Sequence, residues 1–142
     1  MTEIIFHVNT PDKLDYACRL LRKAWGAGSK VVVTGDPAFL RELDAALWTF
    51  SPVDFVPHCY DAPPPVRSMS PIVLADTLQS PAHVEVLLNV GPEVPMGFER
   101  FERMIEVVSS DEADLRDGRV RWKHYASRGY AMTRHDRAEA RG

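Results

Sequence analysis

Short apolar runs alternate along this chain with longer amphipathic stretches. Ile4-Ile5-Phe6-His7-Val8 is apolar on both faces and predicts a strand in the interior of a parallel sheet. Asn9-Thr10-Pro11-Asp12 offers a helix start, with a capping residue before the proline. Leu14, Cys18, Leu21 and Trp25 then recur at helical spacing, and Gly26 and Gly28 end the helix. Residues 30–34 predict a second buried strand. Gly35-Asp36-Pro37 leads into a second helix with Leu40, Leu43 and Leu47 on its inner stripe. Asp54-Phe55-Val56-Pro57 reads as a short edge strand, because Pro57 has no amide hydrogen for a ladder.

Residues 58–71 contain Pro63, Pro64, Pro65 and Pro71 and read as a long polyproline-type connection. Ile72-Val73-Leu74-Ala75, Val84-Glu85-Val86-Leu87-Leu88 and Glu106-Val107-Val108 are further strands, with a helical turn at residues 98–101. Ser109 followed by Glu112 resembles a capping box for a last helix over about residues 112–128, with Gly129 just past its end. Gly118 inside that helix costs about 1 kcal/mol relative to alanine. Alternation of this kind predicts a doubly wound α/β fold, a mostly parallel central sheet flanked by helices. Residues 1–130 form one domain in this reading, and residues 131–142 a flexible, charged tail.

Charge changes the picture. Residues 116–142 carry eight Lys/Arg against three acids, whereas residues 1–115 carry nine against seventeen. A basic patch on an acidic body attracts a small anionic group while the body repels a long polyanion. Hydrophobic content of 45% and charged content of 26% are ordinary for a globular protein. No apolar run approaches the roughly 20 residues of a membrane span, and the N-terminus lacks signal-peptide character. A cytoplasmic protein without membrane contact is therefore expected. Cys18 and Cys59 agree with a reducing compartment, Cys18 as a buried apolar residue.

Expected catalytic chemistry is missing. Neither a G-x-G-x-x-G nor a G-x-x-x-x-G-K-[S/T] loop occurs, so the phosphate cradle of nucleotide-binding α/β folds is absent. His58 and Cys59 are neighbours, but adjacent strand residues point to opposite faces, which disfavours a shared thiolate–imidazole site. His7, His58, His83, His124 and His135 lack zinc-site spacing. Asp111, Glu112 and Asp114 suit a helix start better than acid–base catalysis. No catalytic site, metal or cofactor is expected.

The last helix carries the binding chemistry. At roughly 100° per residue, with Leu115 as origin, Trp122 falls near 340°, Ala126 near 20° and Tyr125 near 280°, an inward face. Arg119, Lys123 and Arg116 fall at roughly 40°, 80° and 100°, an edge beside that face, while Arg121 and Arg128 fall on the far side. Cations beside an apolar seam suit a peptide that ends in an aromatic residue with a free carboxylate.

Two segments carry a resemblance. One is Leu43-Asp44-Ala45-Ala46-Leu47-Trp48 followed by Asp54-Phe55-Val56-Pro57-His58. The other is Glu106-Val107-Val108 followed by Arg119-Val120-Arg121-Trp122-Lys123-His124-Tyr125 and Gly129-Tyr130. The chain resembles the chi subunit family of bacterial DNA polymerase III. This resemblance implies a Rossmann-like, non-catalytic accessory protein of the clamp-loader assembly, touching DNA only indirectly. It implies a site for the acidic, phenylalanine-ended tail of single-stranded DNA-binding protein at Arg119 and Lys123, with Trp122 and Tyr130 at the aromatic pocket. It also implies a surface for the psi subunit at Trp48, Phe55 and Pro57, which a repair helicase could share. Two other classes stay open on the sequence: a direct nucleic-acid-binding module and a nucleotide-using enzyme.

Overall fold

Val31–Thr34 is buried at all four positions, as befits a central strand covered on both faces. A computed structural model describes residues 1–49, 56–79 and 81–137. In chain order the elements are β1 (Glu3–Thr10), α1 (Lys13–Gly26), β2 (Val31–Thr34), α2 (Pro37–Thr49), β3 (His58–Tyr60) and α3 (Pro64–Met69). Then come β4 (Ile72–Leu74), β5 (Val86–Asn89), a 3-10 turn (Phe98–Arg100), β6 (Arg103–Ser109), α4 (Glu112–Ser127) and β7 (Met132–Asp136). All seven strands are parallel in one sheet of order β3-β4-β2-β5-β6-β1-β7, the middle layer of a three-layer α/β fold.

Each face of the sheet has its own core. On one side Ala17, Cys18 and Leu21 of α1 and Leu40, Leu43 and Leu47 of α2 pack on β2, β4, β5 and β6. The stripe of α2 is the one that its leucine spacing predicts. On the other side Tyr125 of α4 joins Ile4, Phe6, Met104 and Val108, with Phe98 and Phe101 from the β5–β6 connection. Burying each such side chain contributes about 1.5–3 kcal/mol.

Several local expectations are corrected. Helix α1 is capped by Asp12, which accepts from the Asp15 amide at 3.1 Å, after the proline rather than before it. Helix α4 is capped by Asp111, whose carboxylate accepts from Asp114 N at 3.3 Å. Ser109 instead receives the Asp111 amide on its hydroxyl and gives its own amide to Asp114. The edge strand expected at 54–57 is displaced to His58–Tyr60, beyond the proline, where every residue has an amide to give. Of the expected segment, Val56 and Pro57 are not strand, and Asp54 and Phe55 lie outside the described residues. The connection at 58–71 holds β3 and the short helix α3, which Pro64 opens at its first position.

Met132–Asp136, expected to fray, is strand β7. It pairs with β1 from Ile4↔Met132 to Val8↔Asp136, and Arg137 N donates to Val8 O at 2.9 Å. Its side chains are mostly exposed, so hydropathy carries no sign of it.

Candidate functional site

Helix α4 is seated by three contacts that turn it about its axis. Near its start, the Lys13 ammonium meets the Asp114 carboxylate at 3.2 Å. Burial alone would raise the Asp114 carboxyl, but the Ser109 amide and Lys13 outweigh it and hold it below the ordinary carboxylate range. One turn on, Gly118 lies against Val108: a Cβ there would sit 3.0 Å from both Val108 methyls. The glycine that weakens the helix thus lets it approach the sheet closely. Next, Arg121 Nε donates to Glu106 Oε1 at 3.0 Å, in a pair with side-chain exposures of 1% and 0%. Asn89 and Tyr125 also donate to Glu106, and Arg121 Nη1 donates to Pro92 O. Burial raises the Glu106 pKa, opposed by the Arg121 charge and these hydrogen bonds.

The buried stripe is therefore Gly118, Arg121 and Tyr125, with Leu115 and Trp122 half-buried at its flank. The helical projection placed Arg121 on the far side and Ala126 inward; the structure reverses both. The cause is Glu106, which sits on β6 facing the helix and draws Arg121 in. Arg116 and Lys123 consequently lie opposite the buried stripe, on the outer surface. Arg119 is the cation nearest the apolar flank of Leu115 and Trp122. Among the described residues, the side chains of Arg116, Arg119 and Lys123 make no ion pair or hydrogen bond, and all three are exposed.

Beside Arg119 lies an aromatic seam. The Trp122 ring meets Phe6 at 5.1 Å, edge to face, and Phe98 contacts both Tyr125 and Tyr130, at 5.2 and 5.3 Å. Strand β7 adds a cation that sequence reasoning missed. In register with Phe6, Arg134 lies on the same face of the sheet as α4, 3.1 Å from Asp136. Trp122 thus packs on Phe6, whose register partner is Arg134. Arg119 lies on the Trp122 side of the helix, Lys123 and Arg116 lie outside it, and Tyr130 follows the end of the helix.

The second predicted surface lies at the opposite edge of the sheet. Trp48, in the last turn of α2, is 57% exposed, and its ring is 5.0 Å from that of His58 in β3. His58 is fixed by Asp44 Oδ1 at 3.1 Å from Nε2 and by Val56 O at 2.7 Å from Nδ1. Pro57 immediately precedes β3, so Trp48 and Pro57 share this edge; Phe55 lies outside the described residues. His58 is engaged with Asp44 while Cys59 pairs in register with Val73, so the two do not converge.

A cavity of about 720 Å³ opens at the carboxyl ends of β2, β4 and β5. There the connections after β2 and β5 leave toward opposite faces, the usual ligand crevice of a doubly wound sheet. Gly35 and Gly91 pack backbone to backbone at its base, and a Cβ on Gly91 would lie 2.8 Å from Gly35 Cα. Its walls carry Asp36, Asp76 and Glu93 against the single cation Arg100, which donates to Leu78 O and Gln79 O. That balance opposes a phosphate and gives no support to a nucleotide-using reading. Among the described residues no group of three or more His, Cys, Asp or Glu is placed to hold a metal. No described helix is long and apolar enough to cross a membrane.

Fold and surfaces define a class: a doubly wound α/β domain with exposed cations on its last helix, an exposed tryptophan near one sheet edge, and no known glycine-rich phosphate motif in its sequence. The family described as DNA polymerase III chi subunit, HolC, matches residues 1–133, and the chain belongs to it. The chain is 30% identical to DNA polymerase III subunit chi of Pseudomonas aeruginosa over 140 residues, covering 95% of this chain and 96% of that protein. It is 27% identical to the protein of the same name from Haemophilus influenzae over 124 residues, 84% of this chain and 83% of that one.

Proposed function

We propose that this protein serves the DNA polymerase III assembly as a non-catalytic adaptor. One flank of α4 takes the acidic, aromatic-ended tail of single-stranded DNA-binding protein, and the α2/β3 edge takes the psi subunit. The observation that carries the reading is Arg119, uncommitted among the described residues, on the side of α4 that bears the Trp122 seam, with the equally uncommitted Lys123 farther out on the same helix. A terminal carboxylate gains charge-assisted hydrogen bonds there, while its ring buries against the seam. Arg119 is the better placed of the two for the carboxylate; Lys123, farther out, suits acidic residues upstream in the tail. The exposed Trp48 beside Pro57 supplies the aromatic anchor usual at the centre of an interface.

Calorimetry with a tail peptide tests the first surface. Lys123→Glu should weaken binding by ~1–3 kcal/mol, the range for a charge-assisted contact, without unfolding the domain. Unchanged affinity in both Lys123→Glu and Arg119→Glu would refute the site.

A further inference from the structure

The two faces of the sheet are unequally covered. Helix α4 packs over β6 and β1, but on the opposite face α1 and α2 cover β2, β4, β5 and β6. Among the described residues no helix covers the β1/β7 floor on that side as fully: Ile5 and His7 are half-buried, and their register partners Thr133 and His135 are exposed. Beside this floor, against the carboxyl half of α1, lies an apolar cavity of about 190 Å³. Leu20, Leu21, Ala24 and Ile105 line it, together with Lys23 and Arg103. Its size is comparable to the engineered cavity of about 150 Å³ that takes a benzene ring.

Two histidines and Arg137 lie along this floor. The His135 ring is 5.4 Å from that of His7, which is hydrogen-bonded to Tyr16, and the Arg137 guanidinium lies 5.7 Å from the Tyr16 ring. Burial, with His135, Arg137 and Lys23, lowers the His7 pKa to about 4, which leaves its ring neutral near pH 7. Two acids lie near. Glu3 is the ladder neighbour of Arg103, and Asp15 is tied to Arg19 at 2.7 Å. Among the described residues, neither Lys23 nor Arg103 is in an ion pair.

We propose that α1 and the less covered β1/β7 floor form a second peptide site, for an acidic segment with one bulky apolar side chain. That side chain enters the cavity, and the flanking carboxylates meet Lys23, Arg103 and Arg137. The site needs no chain terminus, which separates it from the α4 flank across the sheet. A nucleobase would bring polar edges that the apolar lining cannot satisfy. A second copy docked about a two-fold axis would set these cations against themselves.

The probe is the doubly blocked peptide acetyl-Asp-Asp-Phe-Asp-Asp-amide, titrated into the isotope-labelled full chain and followed by amide NMR shifts. Saturable shifts at His7, Lys23, Ala24 and Ile105 are expected. The double variant Lys23→Glu/Arg103→Glu should weaken binding at least about tenfold, through contacts turned repulsive. Replacing the peptide's phenylalanine with alanine should weaken it too. The proposal is overturned by an absence of saturable shifts or by shifts confined to α4. Tighter binding of oligothymidine at the same residues, or dilution-dependent shifts there without peptide, would also overturn it.

Discussion

Arg121 illustrates how one buried charge organises its surroundings. It reaches Glu106 on β6 and Pro92 O in the loop after β5, tying α4 to both. Removing one partner of such a pair strands the other charge in a low dielectric. Arg121→Met should therefore cost ~3–5 kcal/mol in urea denaturation. Adding Glu106→Gln should recover much of that loss, because a neutral amide keeps its bonds to Asn89 and Tyr125. His7 acts through protons instead. Its folded pKa of about 4 lies below the ordinary 6.5, so the native state binds fewer protons than the unfolded chain between those values. Stability should fall as pH drops through that window. The Asp114 contribution is present above the unfolded carboxylate pKa and is lost only as pH falls through its own depressed value. Comparing urea midpoints near pH 7 and near pH 5 isolates the histidine: His7→Gln should show a smaller drop than the parent.

At the scale of elements, Gly118 sets how closely α4 lies on β6. Gly118→Leu should destabilise by about 1–3 kcal/mol through overpacking on Val108, and Val108→Ala should return part of it. Helices α1 and α2 were legible because their apolar spacing defines the inner face, as Cys18, Leu21, Leu40 and Leu43 attest, although Trp25 at the end of the α1 stripe is exposed. Helix α4 was legible in extent but not in rotation. A hydropathy wheel counts arginine as outward, yet a carboxylate on a neighbouring strand can reverse that, and only the fold brings Glu106 opposite Arg121. Strand β7 was illegible for a related reason. Its order comes from the backbone ladder to β1, and its Arg134 and His135 read as solvent-facing charge. The chi-like segments nonetheless pointed to the right family, because Trp48 and the Arg119–Tyr125 run are spaced by a fold that composition cannot reveal.

For the whole molecule, strand order sets the distance between the two proposed surfaces. Trp48 belongs to the β3 edge and the Arg119/Trp122 flank to the β7 edge, with the sheet between them. Seven strands at about 4.8 Å spacing separate the edges by roughly 30 Å. Two ligands so placed do not collide, so holding one raises the local concentration of the assembly around the other. Trp48→Ala should weaken psi capture while leaving tail-peptide affinity intact, and Lys123→Glu should do the reverse; pull-downs with each partner separate the two. The same strand order bears on birth from the ribosome. Strand β1 lies between β6 and β7, both of which come much later in the chain. Both flanks of β1 stay bare until those later strands have been made, and during that interval it presents a sticky hydrophobic ribbon of the kind that chaperones shield.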